Sequence, residues 1–213
     1  MFPALLKPNQ GDSSQGITKD SVVTNEKALL DSLDRLRADF PKRGVLVQEF
    51  LTGAEYSVQL IGNPDQGLRA LPILEVDYSK LDEKLPQILG YESKWEPDSP
   101  YWTQISYREA TLADQKQQQL IDHSSRLFER LGCRDYARFD FRTDSKGEIK
   151  LLEVNPNPGW CWDGKMNIMA GFQGMRYSEL LAQILQAAVE RVGVVAKPAA
   201  QQLTGNGHAV AAE

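Results

Sequence analysis

Apolar and polar residues alternate along the chain with two different periods, that of a strand and that of a helix. Six segments have the alternation or the short apolar run that is typical of strands: residues 2–7, 45–50, 54–61, 69–76, 136–142 and 149–154. Three segments carry leucines and other apolar residues at helical spacing: residues 25–40, 111–131 and 177–192. The pattern therefore predicts a fold in which strands and helices are mixed.

The segments between these elements carry signals of their own. Thr24 is the predicted N-cap of the first helix, and Thr111 with Asp114 has the spacing of a capping box at the start of the second. Residues 77–109 have no clear period and are interpreted as a large loop or insertion. Residues 196–213 are rich in Ala, Gln, Gly and Asn, and we expect them to form a disordered tail.

The composition is that of a globular protein and narrows the classes of function. The 213 residues are 41% apolar and 25% charged, which excludes a collagen, a coiled coil or a wholly disordered chain. The net charge of −5 disfavours nucleic acid and anionic membranes as partners, and no apolar run is long enough to span a bilayer. The first residues lack the pattern of a signal peptide, and Cys133 and Cys161 fit no metal-binding or disulfide spacing. We therefore expect a protein of the reducing cytoplasm.

The strongest chemical signal lies in the last two predicted strands, which a turn at residues 144–148 joins into a hairpin. If Asp144 faces Ile149 across this turn, a regular antiparallel register sets Asp140 opposite Glu153. Side chains alternate between the two faces of a strand, so both carboxylates point to the same face. Opposed Cβ atoms lie about 5 Å apart, and like charges at that separation repel each other.

The same face of the hairpin also carries Arg138 and Asn155, which this register sets opposite each other. The other face is apolar and consists of Phe139, Phe141, Leu152 and Val154. Two carboxylates and an amide are oxygen ligands of the kind that Mg²⁺ binds, together with phosphate oxygens. The alternative is a solvated hairpin face on which Arg138 pairs with its acidic neighbours.

A second signal lies at the start of the chain, where a strand ends in Lys7 and a loop rich in Gly and Ser follows at residues 9–16. The backbone N–H groups and hydroxyls of such a loop can surround a phosphate. The loop is not a Walker A sequence, because no Lys-Ser or Lys-Thr pair closes it. An ordinary surface loop is the alternative.

These signals occur in the order that is found in a known family. The segments LLKPNQGDSSQGI, VLVQEFLTGAEYSV, YESKW, YARFDF and LLEVNPNPG resemble the ATP-grasp domain of D-alanine–D-alanine ligases and related carboxylate–amine ligases. The resemblance implies an α+β ATP-grasp fold, in which two α/β subdomains with mainly antiparallel sheets grip the nucleotide. Residues 1–50 would be part of the small subdomain with its lid loop, and residues 51–195 would be the large subdomain with the metal site.

The resemblance also implies roles for individual residues. Ten would bind ATP: Lys7 at the α- and β-phosphates, Asp12, Ser13 and Ser14 in the lid, Gln48, Glu49, Phe50 and Leu51 at the adenine, Glu55 at the ribose, and Lys94 from the second subdomain. Three would hold one or two Mg²⁺ ions, with Mn²⁺ as an alternative: Asp140, Glu153 and Asn155. Two would stabilise a tetrahedral intermediate: Arg138 and the backbone N–H of Gly159.

The activity that the resemblance implies is that of an ATP-dependent carboxylate–amine ligase, in which a carboxylate becomes an acyl phosphate and an amine then displaces the phosphate. A nucleotide-binding module without turnover and a phosphotransferase with a hydroxyl acceptor are the alternatives. The implied partners are ATP, a small carboxylate, an amine, the family's N-terminal domain in cis or in trans, and a second copy in a homodimer. We expect the N-terminal portion of the family fold to be absent, so that the chain is a C-terminal fragment.

One segment departs from the pattern of the family. Where the family has a Ser that contacts the product, this chain has Asp163-Gly164 within the stretch WCWDGK. We therefore expect Trp162 and Asp163 to favour a cationic amine over D-alanine as the acceptor. The alternative is that Asp163 faces solvent or caps the following turn. Lys165 either pairs with a substrate carboxylate or faces solvent, and the second interpretation is favoured.

Overall fold

The computed structural model describes residues 2–193. The strands in this range are β1 (Ala4–Pro8), β2 (Val22–Val23), β3 (Val45–Glu49), β4 (Glu55–Asn63), β5 (Gly67–Ala70), β6 (Leu74–Asp77), β7 (Ser106–Glu109), β8 (Tyr136–Thr143) and β9 (Ile149–Asn155). The helices are α1 (Glu26–Asp39), α2 (Glu92–Trp95), α3 (Pro100–Gln104), α4 (Asp114–Arg130), α5 (Lys165–Phe172) and α6 (Tyr177–Val192), with a short 3-10 helix at Lys19–Ser21. The predicted disordered tail, residues 196–213, lies outside the described residues.

Three antiparallel strands form a small sheet in the order β2-β1-β3, and α1 packs on one of its faces. The side chains of Ala4 and Leu6 alternate along β1 and are buried in one cluster with Leu36 of the helix. The intervening residues, Leu5 and Lys7, are partly exposed and line a cavity on the opposite face. The period of two along β1 therefore separates the core of this unit from its functional surface.

A six-stranded antiparallel sheet forms the larger unit. Its strands follow the order β7-β6-β4-β8-β9, and β5 pairs with one end of β4. Phe128 of α4 shares a buried cluster with Phe139 on one face, whereas Met169 of α5 and Leu180 of α6 share a cluster on the other face. Three buried polar residues alternate along the central strand β4 and share one face: Glu55, Ser57 and Gln59. These residues mark a polar region inside an otherwise apolar sheet.

The hairpin of β8 and β9 has the predicted register on its polar face. Asp140 lies opposite Glu153, and Arg138 lies opposite Asn155, which confirms the prediction for these four residues. The pairing brings the carboxylates, the amide and the guanidinium to one face of the sheet.

The register at the turn differs from the prediction. Thr143, rather than Asp144, faces Ile149, and a β-bulge near the middle of the hairpin shifts the pairing by one residue. The bulge leaves Leu152 unpaired, and both Leu151 and Leu152 line the cavity. The assignment of Leu152 to the apolar face is therefore wrong, and the bulge is the reason.

Two predicted helix starts are also wrong. The N-cap of α1 is Asn25 rather than Thr24, because the Asn side chain accepts the hydrogen bond from an N–H group of the first turn. The residue before α4 is Ala113, which has no capping side chain, so the capping box of Thr111 and Asp114 does not form. Asp114 instead begins the helix, where its charge complements the helix dipole.

Three segments contain elements that the sequence pattern did not predict. Residues 69–76 form the two strands β5 and β6 rather than one, with Pro72 in the break between them. Residues 77–109 are not a continuous loop, since they contain α2, α3 and β7. Helix α5 lacks a period of 3.6 residues because most of its side chains are apolar, and three of its eight residues are buried.

The architecture is α+β with mainly antiparallel sheets, which confirms the predicted fold class. Its division into subdomains at residue 50 stays a prediction. Within residues 2–193, no helix is long and apolar enough to cross a membrane.

Candidate functional site

A cavity of about 480 Å³ is lined by residues from both sheets. Many of the predicted site residues line it: Lys7, Ser14, Gln48, Glu49, Phe50, Leu51, Glu55, Lys94, Arg138, Asp140 and Glu153. Apolar side chains complete much of the wall: Leu5, Ile17, Ile88, Leu89, Leu151 and Leu152. The cavity thus offers apolar surface and many charged groups to one ligand.

Two carboxylates and an amide meet at one edge of this cavity. Asn155 Nδ2 donates hydrogen bonds to Asp140 Oδ2 and to Glu153 Oε1, each at 3.1 Å. Asp140 is buried, whereas the side chain of Glu153 is 59% exposed. The three side chains therefore converge from adjacent strands, with one carboxylate held by the protein and the other open to a ligand.

The chemistry of this donor set fits Mg²⁺ rather than a metal that needs nitrogen or sulfur ligands. Both carboxylates and the amide oxygen, after rotation of the Asn155 amide, are hard oxygen ligands. Among the described residues no three His, Cys, Asp or Glu side chains gather at one point. A cation here would therefore need oxygen ligands from a second molecule to complete its shell, as Mg²⁺ does with phosphates.

Asp140 is held as a carboxylate by its surroundings. Its oxygens accept hydrogen bonds from Ser57 Oγ at 2.6 Å and from Arg138 Nε at 2.9 Å, and Lys165 Nζ lies 3.9 Å away. Burial alone would raise the pKa of Asp140, but the charges of Lys165 and Arg138 and these hydrogen bonds outweigh it. The pKa of Asp140 therefore lies well below its usual range, and the group is an anion at neutral pH.

Five cationic residues line the cavity: Lys7, Lys94, Arg138, Arg142 and Lys165. The Lys94 side chain opens onto the cavity, yet the surrounding protein removes enough water to lower its pKa. The charge of Lys165 lowers the pKa of Lys94 further, against the opposing effect of the Glu153 carboxylate. Cations that repel each other in this way provide a binding region for an anion.

The segment from Gln48 to Leu51 lines the cavity, and Gln48 pairs with Leu5 of β1, which also lines it. Phe50 N donates a hydrogen bond to Pro3 O at 3.0 Å, which ties the segment to the start of β1. The turn that follows passes so close to β8 that a Cβ atom at Gly53 would overlap Thr143. Glycine is therefore required where the chain crosses from the small sheet to the large one.

Glu55 is buried beside this segment and has two partners inside the protein. Tyr78 donates its hydroxyl to Glu55 Oε2 at 2.9 Å, and Arg142 Nη1 lies 3.5 Å from the same oxygen. Burial and the charge of Glu55 raise the pKa of Tyr78 well above its usual range, so Tyr78 stays a donor. Both contacts are made by Oε2, and Glu55 lines the cavity.

The loop that follows β1 contacts the segment before and within α2. Ser14 Oγ donates to Leu89 O at 2.9 Å, and Trp95 Nε1 donates to Ser13 O at 3.3 Å. Ser13 and Ser14 both have positive φ angles, of 51° and 59°, so the loop turns sharply at this point. These contacts join the predicted lid to the segment that carries Lys94.

Six predicted site residues do not line the cavity: Asp12, Ser13, Asn155, Gly159, Trp162 and Asp163. Asn155 still contacts the site through Asp140 and Glu153. The loop around Gly159 is held by Trp160 Nε1, which donates to the hydroxyl of Tyr136 at 2.7 Å. Trp162 and Asp163 are exposed, and their contact with an acceptor stays a prediction.

Five residues of the site were not predicted from the sequence: Ser57, Tyr78, Tyr107, Arg142 and Lys165. The favoured interpretation of Lys165 as a solvent-facing residue is wrong, because its side chain is only 14% exposed. The alternation of Glu55, Ser57 and Gln59 along an otherwise apolar strand is a signal that would have identified Ser57.

Known proteins with similar sequences include D-alanine–D-alanine ligases. The family model described as "D-ala D-ala ligase C-terminus" matches residues 1–186. The D-alanine–D-alanine ligase of Desulfotalea psychrophila is 30% identical over 194 residues, which are 89% of this chain and 55% of that protein. A protein of Sinorhizobium fredii described as "Uncharacterized protein y4sG" is 31% identical, over 89% of this chain and 53% of its own length. The chain spans about half the length of these curated relatives.

Solved structures with a similar fold cover the same part of the chain. The D-alanine–D-alanine ligase of Bacillus anthracis, solved in complex with ATP, has a TM-score of 0.65 and 20% identity, covering 89% of this chain and 53% of that one. The VanG D-Ala:D-Ser ligase of Enterococcus faecalis has a TM-score of 0.64 and 22% identity, covering 88% and 50%. At these identities the similarity establishes the fold.

Proposed function

Because the chain belongs to the family of D-alanine–D-alanine ligase C-terminal domains, we propose that it binds ATP with Mg²⁺ as the nucleotide-binding part of a carboxylate–amine ligase. One observation carries the proposal: Asp140 and Glu153 lie opposite each other at the edge of a cavity that several cations line. Carboxylates next to cations suit a metal ion bound together with a polyphosphate. The relative from Desulfotalea psychrophila is a D-alanine–D-alanine ligase, the VanG structure is that of a D-Ala:D-Ser ligase, and the Bacillus anthracis structure was solved in complex with ATP.

The phosphate-binding part of the site would consist of lysines from both sheets and of the opposed carboxylates. Lys7 of β1 would bind the α- and β-phosphates, and Lys94 would reach them from the other side of the cavity. Asp140 and Glu153, with the amide of Asn155, would hold Mg²⁺, which when bound withdraws negative charge from the phosphate oxygens.

The adenosine would occupy the apolar part of the cavity. Backbone groups of Glu49 and Leu51 would meet the edge of the adenine, with Gln48 and Phe50 in the same segment, and the ring would lie against apolar side chains such as Leu152. Glu55 would accept hydrogen bonds from the ribose hydroxyls through Oε1, since Tyr78 already contacts Oε2. Residues 1–50 and 51–195 would then be the two subdomains that enclose the nucleotide.

The proposed reaction has two steps. A substrate carboxylate attacks the terminal phosphorus of ATP and forms an acyl phosphate while ADP leaves. An amine then attacks the acyl carbon and releases phosphate. Arg138 and the backbone N–H of Gly159 would stabilise the oxyanion that develops in the second step. The lid residues Asp12, Ser13 and Ser14 would exclude water, which otherwise hydrolyses an acyl phosphate.

Titration of the full chain with ATP in the presence and absence of Mg²⁺ tests the proposal. We expect saturable binding that Mg²⁺ strengthens, and the absence of any binding at millimolar ATP would refute it. Incubation with ATP, a carboxylate and an amine then separates the activities. A ligase releases ADP and phosphate only when both substrates are present, a phosphotransferase yields a stable phosphorylated product, and a nucleotide-binding module yields neither.

Replacing Tyr78 with Phe is expected to weaken ATP binding by about fivefold, because the Glu55 carboxylate loses the donor that fixes its orientation. The affinity for 2′,3′-dideoxy-ATP, which lacks both ribose hydroxyls, should stay within about twofold of the unmodified chain. Tyr101→Phe is the matched control, because Tyr101 also donates its hydroxyl to an internal acceptor, but that acceptor, Pro86 O, does not line the cavity. Equal weakening for both nucleotides in Tyr78→Phe contradicts the ribose role of Glu55.

The affinity for ATP is expected to fall as the pH rises through the pKa of Lys94, which lies below its ordinary value of 10.5. The anion binds the protonated amine, so affinity is complete below this pKa and is lost above it. Arg stays protonated in this range, so Lys94→Arg should keep its affinity at alkaline pH. A pH profile of ATP binding that is the same for Lys94→Arg and the unmodified chain contradicts this assignment.

A further inference from the structure

Lys165 begins helix α5 and extends its ammonium group into the cavity. Nζ lies 3.1 Å from Ser57 Oγ and 3.9 Å from Asp140 Oδ1, and it lies 5.8 Å from the centre of the Tyr107 ring. The side chain is 14% exposed. Lysine is seldom withdrawn from water to this extent without a partner for its charge.

Asp140 is an incomplete partner for Lys165, because other donors already occupy it. Its oxygens accept hydrogen bonds from Ser57, from two nitrogens of Arg138 and from Asn155. An ammonium group has three N–H donors, and among the described residues Lys165 directs one hydrogen bond to Ser57. The remaining donors of Lys165 are therefore able to bind the oxygens of a ligand.

The surrounding charges indicate that this ligand carries more than one negative charge. Lys94, Arg138 and Lys165 line the cavity, and Arg138 and Lys165 each have a nitrogen within 4.0 Å of the Asp140 carboxylate. Removal of water and the charge of Lys165 both disfavour the protonated form of Lys94. An anion that contacts all three cations would remove this repulsion.

We propose that Lys165 binds the terminal phosphate of ATP and keeps contact with this group during its transfer. The proposal rests on the proposed function above. Phosphate is favoured over a substrate carboxylate because a phosphoryl group has three terminal oxygens, enough for Lys94, Arg138 and Lys165 together, whereas a carboxylate has two. Lys165 also lies 3.9 Å from Asp140, the carboxylate that phosphate oxygens must approach if they are to share a metal with it.

Lys165 supplies charge and hydrogen bonds to the reaction and contributes no atom to it. The bond that forms joins a carboxylate oxygen to phosphorus, and the bond that breaks joins phosphorus to the oxygen that leaves with ADP. The ammonium group keeps its proton throughout. Its contact with the terminal phosphate therefore distinguishes ATP from ADP, which lacks this group.

Calorimetric titration of the full chain with ADP and with a non-hydrolysable ATP analogue, both with Mg²⁺, tests the proposal. Lys165→Met should weaken binding of the triphosphate analogue by roughly 10- to 100-fold, the range for a hydrogen bond to a charged group, and should change ADP binding by less than about twofold. Lys165→Arg keeps the charge and should restore part of the loss. Lys80→Met is the matched control, because Lys80 is exposed and lies outside the cavity lining.

The outcomes separate this proposal from the one on which it rests. Suppose that the unmodified chain binds both nucleotides. If Lys165→Met then weakens the binding of both equally, or of neither, the contact with the terminal phosphate is refuted but the proposed function is not. Unchanged affinity for the analogue would instead point to a substrate carboxylate as the partner of Lys165. If the unmodified chain binds no nucleotide, the proposed function is refuted and this inference with it. A melting curve of each variant shows whether it is folded. If Lys165→Met is not folded, the comparison of analogue and ADP binding is made with Lys165→Arg instead.

Discussion

Replacing Glu153 with Gln is expected to abolish most of the increase in nucleotide affinity that Mg²⁺ produces. Glu153 lies directly opposite Asp140, and the pair supplies both carboxylates of the candidate metal site. The amide keeps the size of the side chain and removes its charge, which leaves one carboxylate for the metal. We expect the ratio of affinities with and without Mg²⁺ to fall by at least roughly tenfold, which corresponds to about 1.4 kcal/mol.

Titration of each variant with ATP at several Mg²⁺ concentrations measures this coupling directly. Glu153 is 59% exposed, so its substitution should leave the fold intact, whereas Asp140→Asn would also disturb the hydrogen bonds of Arg138 and Ser57. Glu148→Gln is the matched control, because Glu148 is an exposed carboxylate in the turn of the same hairpin. Coupling in Glu153→Gln that equals that of the control would exclude Glu153 as a metal ligand.

The period of two along a strand is what made the polar face of the hairpin predictable. Residues that alternate share a face whatever their surroundings, so Asp140 and Glu153 could be paired from the sequence once a register was assumed. The assumed turn was wrong by one residue, and a bulge at Leu152 compensates for this error before the strands reach the site. A bulge has no reliable signal in a single sequence, since it depends on how both strands fit their neighbours.

Contacts between residues that are distant in sequence explain the parts of the site that were not predicted. Lys165 lies 108 residues from Ser57 in the chain, and Arg142 lies 87 residues from Glu55. Neither pair follows from local spacing. The packing of α5 onto the sheet creates the first pair, and the antiparallel pairing of β4 with β8 creates the second. Helix α5 itself is short and apolar, so no helical period marked the residue that begins it.

The chain is expected to self-associate through β3, which is an edge strand of the small sheet. The first strand, β1, is not an edge, because it pairs with β2 on one side and with β3 on the other. The two edges are therefore β2 and β3, and Leu46 and Val47 of β3 are exposed. The unpaired N–H and C=O groups of such an edge are a template for a second strand.

Replacing Val47 with Lys is expected to weaken this association by at least roughly tenfold, because a charge on an edge strand opposes pairing with another chain. Val47 is 51% exposed, so the substitution should leave the melting temperature nearly unchanged. Leu131→Lys is the matched control: Leu131 is 58% exposed but follows α4 and belongs to no strand, so its replacement should leave association unchanged. Sedimentation velocity over a range of concentrations distinguishes the species. A chain that stays monomeric at every concentration, or a Val47→Lys variant that associates as strongly as the unmodified chain, would show that β3 is not the surface of association.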